Sequence, residues 1–118
     1  MTRVLIVDDQ PVFRRQLRRL FTFAGLRVVG EAGTIAEAEA EVQAGEPHLA
    51  VVDLILPGVD GMKGIARLKA LAPELRVILV SVIQAHGDLV RAAAIEAGAE
   101  DFLPKEDLTL ELVRLWKV

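Results

Sequence analysis

A short apolar run that ends in a single carboxylate constrains the fold of this 118-residue chain more than any other feature. Residues 49–52 are Leu-Ala-Val-Val, Asp53 follows, and Pro57-Gly58 marks a turn shortly afterwards. An unbroken apolar run of this length is typical of a parallel β-strand that is covered on both faces. Asp53 then lies at the carboxyl end of that strand, where open α/β sheets bind their ligands. Taken alone, Asp53 is more readily interpreted as a cap of the turn than as part of a site.

The same design recurs near the N-terminus, where the run Val4 to Val7 ends in Asp8-Asp9. Beyond it, strand-like and helix-like segments alternate, with Pro11 and Thr34 as helix starts and Gly98 as a stop. We predict an α/β fold, a flavodoxin-like five-stranded parallel doubly wound sheet of order 2-1-3-4-5 with five helices on its two faces. The predicted strands are 3–7, 26–31, 49–53, 76–82 and 100–103, and the predicted helices are 11–24, 35–44, 60–72, 88–97 and 107–117.

Length and composition exclude several classes of protein. We interpret residues 1–118 as one domain, which is long enough to bury a core of its own. The net charge of −3 gives this domain no general reason to bind nucleic acid, and the absence of cysteine excludes disulfides and thiolate metal ligands. No apolar run approaches the roughly 20 residues of a membrane span, and no signal peptide is visible. We therefore expect a soluble, cytoplasmic protein without membrane contact.

The predicted topology brings several polar side chains to one edge of the sheet. Asp8-Asp9 and Asp53 lie at the carboxyl ends of neighbouring strands, Ser81 lies at that end of the next strand, and Lys105 lies in the loop after the last one. At about 4 Å and an effective dielectric constant near 20, each pair of like charges costs about 4 kcal/mol, so three carboxylates need raised pKa values or a bound cation. A hard divalent cation such as Mg²⁺ fits an all-oxygen site. The lack of a neighbouring histidine or cysteine makes zinc a poor fit.

These residues, in this order, resemble the response-regulator receiver domain of two-component signalling, a CheY-like superfamily. The resemblance covers the whole chain. Its most specific parts are the apolar strand into Asp8-Asp9, the sequence from Asp53 through Pro57-Gly58 to Asp60-Gly61, and Gly98-Ala99 before Phe102 and Lys105.

The resemblance implies a role for each site residue. Asp53 is the implied phosphoacceptor, which takes a phosphoryl group from a sensor histidine kinase or a phosphotransfer protein. Asp8, Asp9, Asp53 and the Ile55 backbone carbonyl are the implied Mg²⁺ ligands. Lys105 supplies a cation and Ser81 a hydroxyl for the phosphoryl oxygens. Ser81 and Phe102 are the implied switch residues: Ser81 pulls the loop 82–87, and Phe102 turns inward into the vacated space.

Several positions depart from the commonest receiver pattern, among them the apolar Ile55 and Ile83 near the site. Val82 replaces a small alanine, Phe102 replaces a tyrosine, and Glu106 replaces a proline after Lys105. A pseudo-receiver that only binds a partner is the second interpretation, and the complete set of site residues argues against it. A Mg²⁺-dependent phosphohydrolase of the haloacid-dehalogenase type is the third, although it normally carries Asp-x-Asp and a cap insertion. On the first interpretation the domain catalyses only its own phosphorylation and dephosphorylation and is not an enzyme with a separate substrate.

Surface residues suggest partners. The first helix carries Arg14, Arg15, Arg18 and Arg19, which form either a solvated face or a docking surface for an acidic kinase. A helical stripe of Leu108, Leu112, Leu115 and Trp116 leaves Leu110 and Val113 outside, and with Leu89 and Ile95 these predict a dimer or output interface. The sequence Asp-Gln-Pro-Val-Phe-Arg at 9–14 resembles receivers joined to helix-turn-helix DNA-binding domains. His48 and His86 are interpreted as structural and loop residues rather than metal ligands.

Overall fold

The computed structural model describes residues 1–82 and 87–117, which form an α/β fold around one parallel sheet with the order β2-β1-β3-β4-β5. The predicted fold class and strand order are therefore confirmed. The strands are β1 (Arg3–Val7), β2 (Arg27–Ala32), β3 (Leu49–Asp53), β4 (Arg76–Ser81) and β5 (Asp101–Pro104). The helices are α1 (Pro11–Phe23), α2 (Ile35–Gly45), α3 (Gly61–Leu71), α4 (Gly87–Ala97) and α5 (Leu110–Arg114), with a 3₁₀ turn at Lys105–Asp107 before α5.

Helices cover both faces of the sheet, which is why the central strands β1, β3 and β4 carry unbroken apolar runs. On β1, Leu5 and Val7 pack into the core beneath α2, α3 and α4, whereas Val4 and Ile6 pack into the core beneath α1 and α5. All four side chains have an exposed fraction of 0%. Burying such a side chain contributes about 1.5–3 kcal/mol, so the central strands are fixed in place and their carboxyl ends form a rigid edge.

Local signals in the sequence set the helix starts. Pro11 occupies the first turn of α1, where a missing N–H costs no hydrogen bond. The Thr34 hydroxyl accepts a hydrogen bond from the backbone N–H of Glu37 at 3.1 Å, as a helix N-cap does. The Asp60 carboxylate does the same for Lys63 at 2.9 Å and starts α3 directly after the loop that follows β3.

The C-terminal segment differs from its prediction. A helix over 107–117 was expected, but Thr109 caps a shorter α5 at Leu110–Arg114, so Leu108 lies outside the helix on which its stripe depended. The helix phase is shifted as a result. Val113 is fully buried, whereas Leu115 is 77% exposed. The assignment of Val113 to an exposed interface is therefore wrong, because its side chain belongs to the core, and Leu110 is also partly buried against that core.

His48 has the structural role expected of it. Its Nδ1 accepts a hydrogen bond from the backbone N–H of Arg3 at 2.9 Å, at the edge of the sheet opposite the carboxylates. Burial, and then the nearby charge of Arg3, lowers its pKa, so the neutral ring that can accept this bond is favoured. His86 lies outside the described residues. Among the residues that the structure does describe, no helix is long and apolar enough to cross a membrane.

Truncation of Val113 and of Leu115 distinguishes the helix phase predicted for the C-terminal segment from the observed one. We expect Val113→Ala to lower the free energy of unfolding by about 2 kcal/mol, because it leaves a cavity in the core. We expect the matched variant Leu115→Ala to change it by less than about 0.5 kcal/mol, since that side chain is exposed. Urea unfolding followed by circular dichroism measures both. A larger loss in Leu115→Ala than in Val113→Ala would contradict the observed phase.

Candidate functional site

Three carboxylates meet at the carboxyl ends of β1 and β3. Val7 pairs with Val52 as the last residues of the β1–β3 register, so Asp8 and Asp53 leave adjacent strands side by side. One carboxylate oxygen from each of Asp8, Asp9 and Asp53 lies within 4.8 Å of the others. The structure therefore brings the three predicted acids together.

Asp53 is held at both oxygens. The backbone N–H of Ile55 donates to Oδ1 at 3.0 Å, and the Lys105 ammonium donates to Oδ2 at 3.0 Å. The same ammonium forms an ion pair with Asp8 Oδ2 at 2.7 Å, and the Lys105 side chain is only 10% exposed. One lysine thus bridges two carboxylates that belong to different strands.

Burial dominates the electrostatics of Asp53. Removal from water raises the pKa of this carboxyl, and the nearby charge of Asp8 adds to the effect. The hydrogen bonds from Ile55 and Lys105 lower the pKa but only partly offset the burial. Burial also lowers the pKa of Lys105, but its contacts with Asp8 and Asp53 outweigh this and the pKa is raised. The lysine therefore remains charged at neutral pH. The Asp53 carboxylate binds a proton more readily than an ordinary aspartate does, because burial disfavours its charged form.

The loop that carries Asp8 and Asp9 is fastened to the neighbouring elements. Asp8 Oδ1 accepts from the backbone N–H of Gln10 at 2.8 Å, and the Asp8 carbonyl accepts from Arg14 Nη1 at 2.6 Å. Arg14 also pairs with Glu31 near the carboxyl end of β2. The sequence does not predict this role for Arg14, and its one signal is the place of Arg14 in the sequence 9–14.

The donor set fits a hard divalent cation. The three clustered ligands are all carboxylate oxygens, and the ammonium of Lys105 balances only one of their charges. Asp8 Oδ2 is buried, and apart from this ion pair it accepts no hydrogen bond of regular geometry from the described residues. Asp9 is exposed at the rim, so an incoming ion and its remaining waters can be accommodated. The Ile55 carbonyl remains a predicted ligand, since only its N–H is placed by a contact.

Ser81 and Lys105 line one cleft next to the end of β3. Ser81 ends β4, next to β3, and has an exposed fraction of 0%. It lines a small open cleft with Val82, Lys105 and Glu106. Val82 is 70% exposed, so it stands at the mouth of this cleft rather than in its interior.

Phe102 is already on the inner side of β5. Its ring is 2% exposed and belongs to the core beneath α2, α3 and α4. The guanidinium of Arg91 on α4 lies against its backbone carbonyl, with Nη2 at 3.2 Å. The inward ring position that was expected after switching is thus the one this structure has. Most of the loop expected to move with Ser81 lies outside the described residues.

Gly61 lets α3 approach the site closely. Its N–H donates to the Leu54 carbonyl at 2.9 Å, and a Cβ at this position would overlap the backbone carbonyl of Asp53. Gly58 has a φ of +77° in the turn before it, which a glycine adopts without strain. The sequence from Asp53 to Gly61 is therefore a loop that closes tightly on the residue it follows.

The model of the response regulator receiver domain family matches residues 4–115. The chain belongs to this family. Receiver domains bind Mg²⁺ at an acidic pocket and interact with kinases or phosphotransfer proteins and with output domains. The positions of the acids, the serine and the lysine in this receiver domain follow the order that suggested the family.

Individual relatives agree with this assignment. The chain is 38% identical over 118 residues to the DNA-binding transcriptional activator DevR/DosR of Mycobacterium tuberculosis, a match covering 99% of this chain and 54% of that protein. It thus spans about half the length of that relative. It is 33% identical over 103 residues to the chemotaxis protein CheY of Thermotoga maritima, covering 87% and 84%. A two-component response regulator of the LuxR family from Aurantimonas sp. SI85-9A1 superposes with a TM-score of 0.87 at 32% identity, covering 97% of this chain and 81% of that one.

The raised pKa of Asp53 predicts that its charge destabilises the fold. A carboxyl whose pKa is higher in the folded than in the unfolded state binds its proton more tightly when folded, so its protonated form stabilises the fold. That contribution to the free energy of unfolding is present at low pH and is lost as the pH rises through the folded pKa. We therefore expect Asp53→Asn to be more stable than the wild type at pH 7 without divalent cations, and the difference to shrink toward the ordinary carboxyl pKa of about 3.9. Urea unfolding in EDTA across this pH range measures it. The exposed Asp88→Asn is the control, and a loss of stability in Asp53→Asn at pH 7 would contradict the prediction.

The contact at Gly61 predicts a steric effect. We expect Gly61→Ala to lower the free energy of unfolding by about 2 kcal/mol, because the added methyl forces α3 away from the Asp53 backbone. Gly87→Ala is the matched control, since a Cβ there meets no other atom within 4 Å. Equal stability of the two variants in thermal unfolding would show that α3 can move without cost.

Proposed function

We propose that this receiver domain accepts a phosphoryl group on Asp53 from a sensor histidine kinase or a phosphotransfer protein. One observation carries the proposal: the buried Asp53 carboxylate lies 3.0 Å from the Lys105 ammonium and within the cluster formed with Asp8 and Asp9. A carboxylate nucleophile, a cation and a metal-binding acid pair at one sheet edge are what phosphoryl transfer to an aspartate requires.

The residues divide the chemistry between them. A carboxylate oxygen of Asp53 forms a bond to phosphorus as the phosphorus–nitrogen bond of the donor phosphohistidine breaks, and the electron pair of that bond returns to the imidazole. Negative charge is spread over the equatorial oxygens, where Lys105 and the hydroxyl of Ser81 are placed to stabilise it. Asp8, Asp9, Asp53 and the Ile55 carbonyl would hold Mg²⁺, which when bound supplies further positive charge to those oxygens. The reaction modifies the domain itself, so we infer no separate substrate that it turns over.

Phosphorylation then acts as a change of charge and of hydrogen bonding. A phosphoryl group carries about −1.5 to −2 charge and three strong acceptor oxygens. Ser81 and Lys105 line the same cleft, and their hydroxyl and ammonium groups can donate hydrogen bonds to those oxygens. Their engagement biases an equilibrium between two conformations only as far as the phosphoryl group binds them differently. The likeness to DevR/DosR supports control of transcription through an output domain as the consequence.

The docking surface for the kinase is smaller than the sequence suggested. Arg14 and Arg18 both pair with Glu31, at 3.2 and 2.7 Å, so both guanidinium groups are engaged and one of their two positive charges is balanced locally. Arg15 and Arg19 are exposed on α1, the helix that follows the loop carrying Asp9. We therefore assign electrostatic docking of an acidic kinase surface to Arg15 and Arg19.

The proposed output surface is likewise reduced. Leu89 and Ile95 on α4 are 71% and 52% exposed, as expected, whereas Val113 is in the core. At 3.6 residues per turn, Leu89 and Ile95 lie about 120° apart around α4. They do not form one stripe, so a partner that covers both must wrap around the helix.

Phosphorylation by a small-molecule donor tests the proposal directly. Incubated with acetyl phosphate and Mg²⁺, the wild type and the exposed-site control Asp88→Asn should each gain the mass of one phosphoryl group by intact mass spectrometry. Asp53→Asn should gain none, and EDTA should abolish the gain in the wild type because the acidic cluster then lacks its cation. An unmodified wild type would favour the pseudo-receiver, and release of phosphate from small phosphoesters would favour the phosphohydrolase.

A further inference from the structure

The Lys105 ammonium has a third partner besides its two carboxylates. Its Nζ lies 4.1 Å from the centroid of the Phe13 ring, in the first turn of α1. This distance is within the range in which the negative face of an aromatic ring attracts a cation. Phe13 is partly buried and also packs against the core beneath α1 and α5, so the ring is held in place from behind.

The ring and the carboxylates act on the lysine in different ways. Asp8 and Asp53 approach Nζ at 2.7 and 3.0 Å and neutralise its charge. Phe13 attracts the ammonium without adding a negative charge, so the cation that it holds remains available to a phosphoryl oxygen. Lysine has a flexible four-carbon stem, and its position is set by what surrounds its head. When Asp53 becomes an acyl phosphate, its carboxylate contact with Lys105 is lost while the ring remains.

We propose that Phe13 is a positioning residue for phosphoryl transfer: its ring holds the Lys105 ammonium at the phosphoacceptor. This inference rests on the proposed role of Lys105 in that reaction. It also connects α1, the helix that carries the exposed arginines, to the cation of the site through one aromatic contact. The nearest alternative is that Phe13 only fills space in the core.

Fluorination separates the two roles, because it weakens the negative face of the ring while leaving the ring apolar and close to its original shape. Mono-, di- and trifluorophenylalanine would be incorporated at Phe13 of the intact protein, and phosphorylation by acetyl phosphate with Mg²⁺ followed over time. We expect the rate to fall stepwise, by roughly two- to fivefold in total, as a cation–π contribution predicts. Phe21 is the control: its ring packs against Trp116, 6.1 Å away, and the same series there should leave the rate unchanged.

Two further measurements tie the effect to the lysine. In a Lys105→Gln background, which lowers the rate by itself, fluorination of Phe13 should have no additional effect. In the wild type, the resonances of the Lys105 side chain in lysine-labelled protein should carry the ring-current shift of a group above an aromatic face, and Phe13→Leu should remove it.

The outcomes separate this inference from the function beneath it. A lowered rate in Lys105→Gln together with a flat Phe13 series would overturn the role of Phe13 and leave that of Lys105 intact. A fall in rate that persists in the Lys105→Gln background would show that Phe13 acts through packing. An unchanged rate in Lys105→Gln would overturn both, because the cation would then have no part in the transfer.

Discussion

The bridge that Lys105 makes between Asp8 and Asp53 is the interaction on which the rest of this site depends. Without a cation between them, two buried carboxylates at the ends of adjacent strands would repel each other across a distance that the sheet fixes. The lysine comes from the segment after β5, at the edge of the sheet, and crosses to residues of β1 and β3. The ion pairs therefore depend on the strand order, which brings Asp8, Asp53 and Lys105 to one edge of the sheet. In turn, they hold the ends of β1 and β3 to the segment after β5.

The strands could be predicted from the sequence because covering a sheet on both faces demands apolar runs, and few other structures do. The C-terminal segment, residues 107–117, could not be predicted in this way. Its leucines recur so densely that several helical phases bury an apolar stripe, and the N-cap at Thr109 decides among them. The helix phase also depends on Phe21, because the ring of Trp116 packs against the Phe21 ring on the inner side of α1. The helix phase is therefore set by tertiary packing, which cannot be deduced from the periodicity of residues 107–117.

The site was predictable for a related reason. A correct strand order brings these residues to one edge without knowledge of side-chain conformations, because each of them ends a strand or follows one: Asp8, Asp9, Asp53, Ser81 and Lys105. Phe13 and Arg14 act on that site from a helix. An aromatic residue in an amphipathic helix is ordinarily a core residue and an arginine there is ordinarily solvated, so their spacing carries no sign of a contact with Lys105 or with the Asp8 carbonyl. Only the approach of the first turn of α1 to the sheet edge reveals it.

The charges of the site indicate how a signal can leave it. Three carboxylates and one ammonium leave about two negative charges, which a divalent cation can balance. Phosphorylation adds about one more negative charge, a change that is small beside the charges already present. The larger difference is in geometry, since one planar carboxylate is replaced by a group with three acceptor oxygens directed away from the strand. Between solvent-exposed charges, an effect of net charge is screened within about 8 Å at physiological salt. On the proposed function, we therefore expect the signal to begin with donors that touch the new oxygens. Ser81 at the end of β4 and Lys105 beyond β5 line the cleft in question.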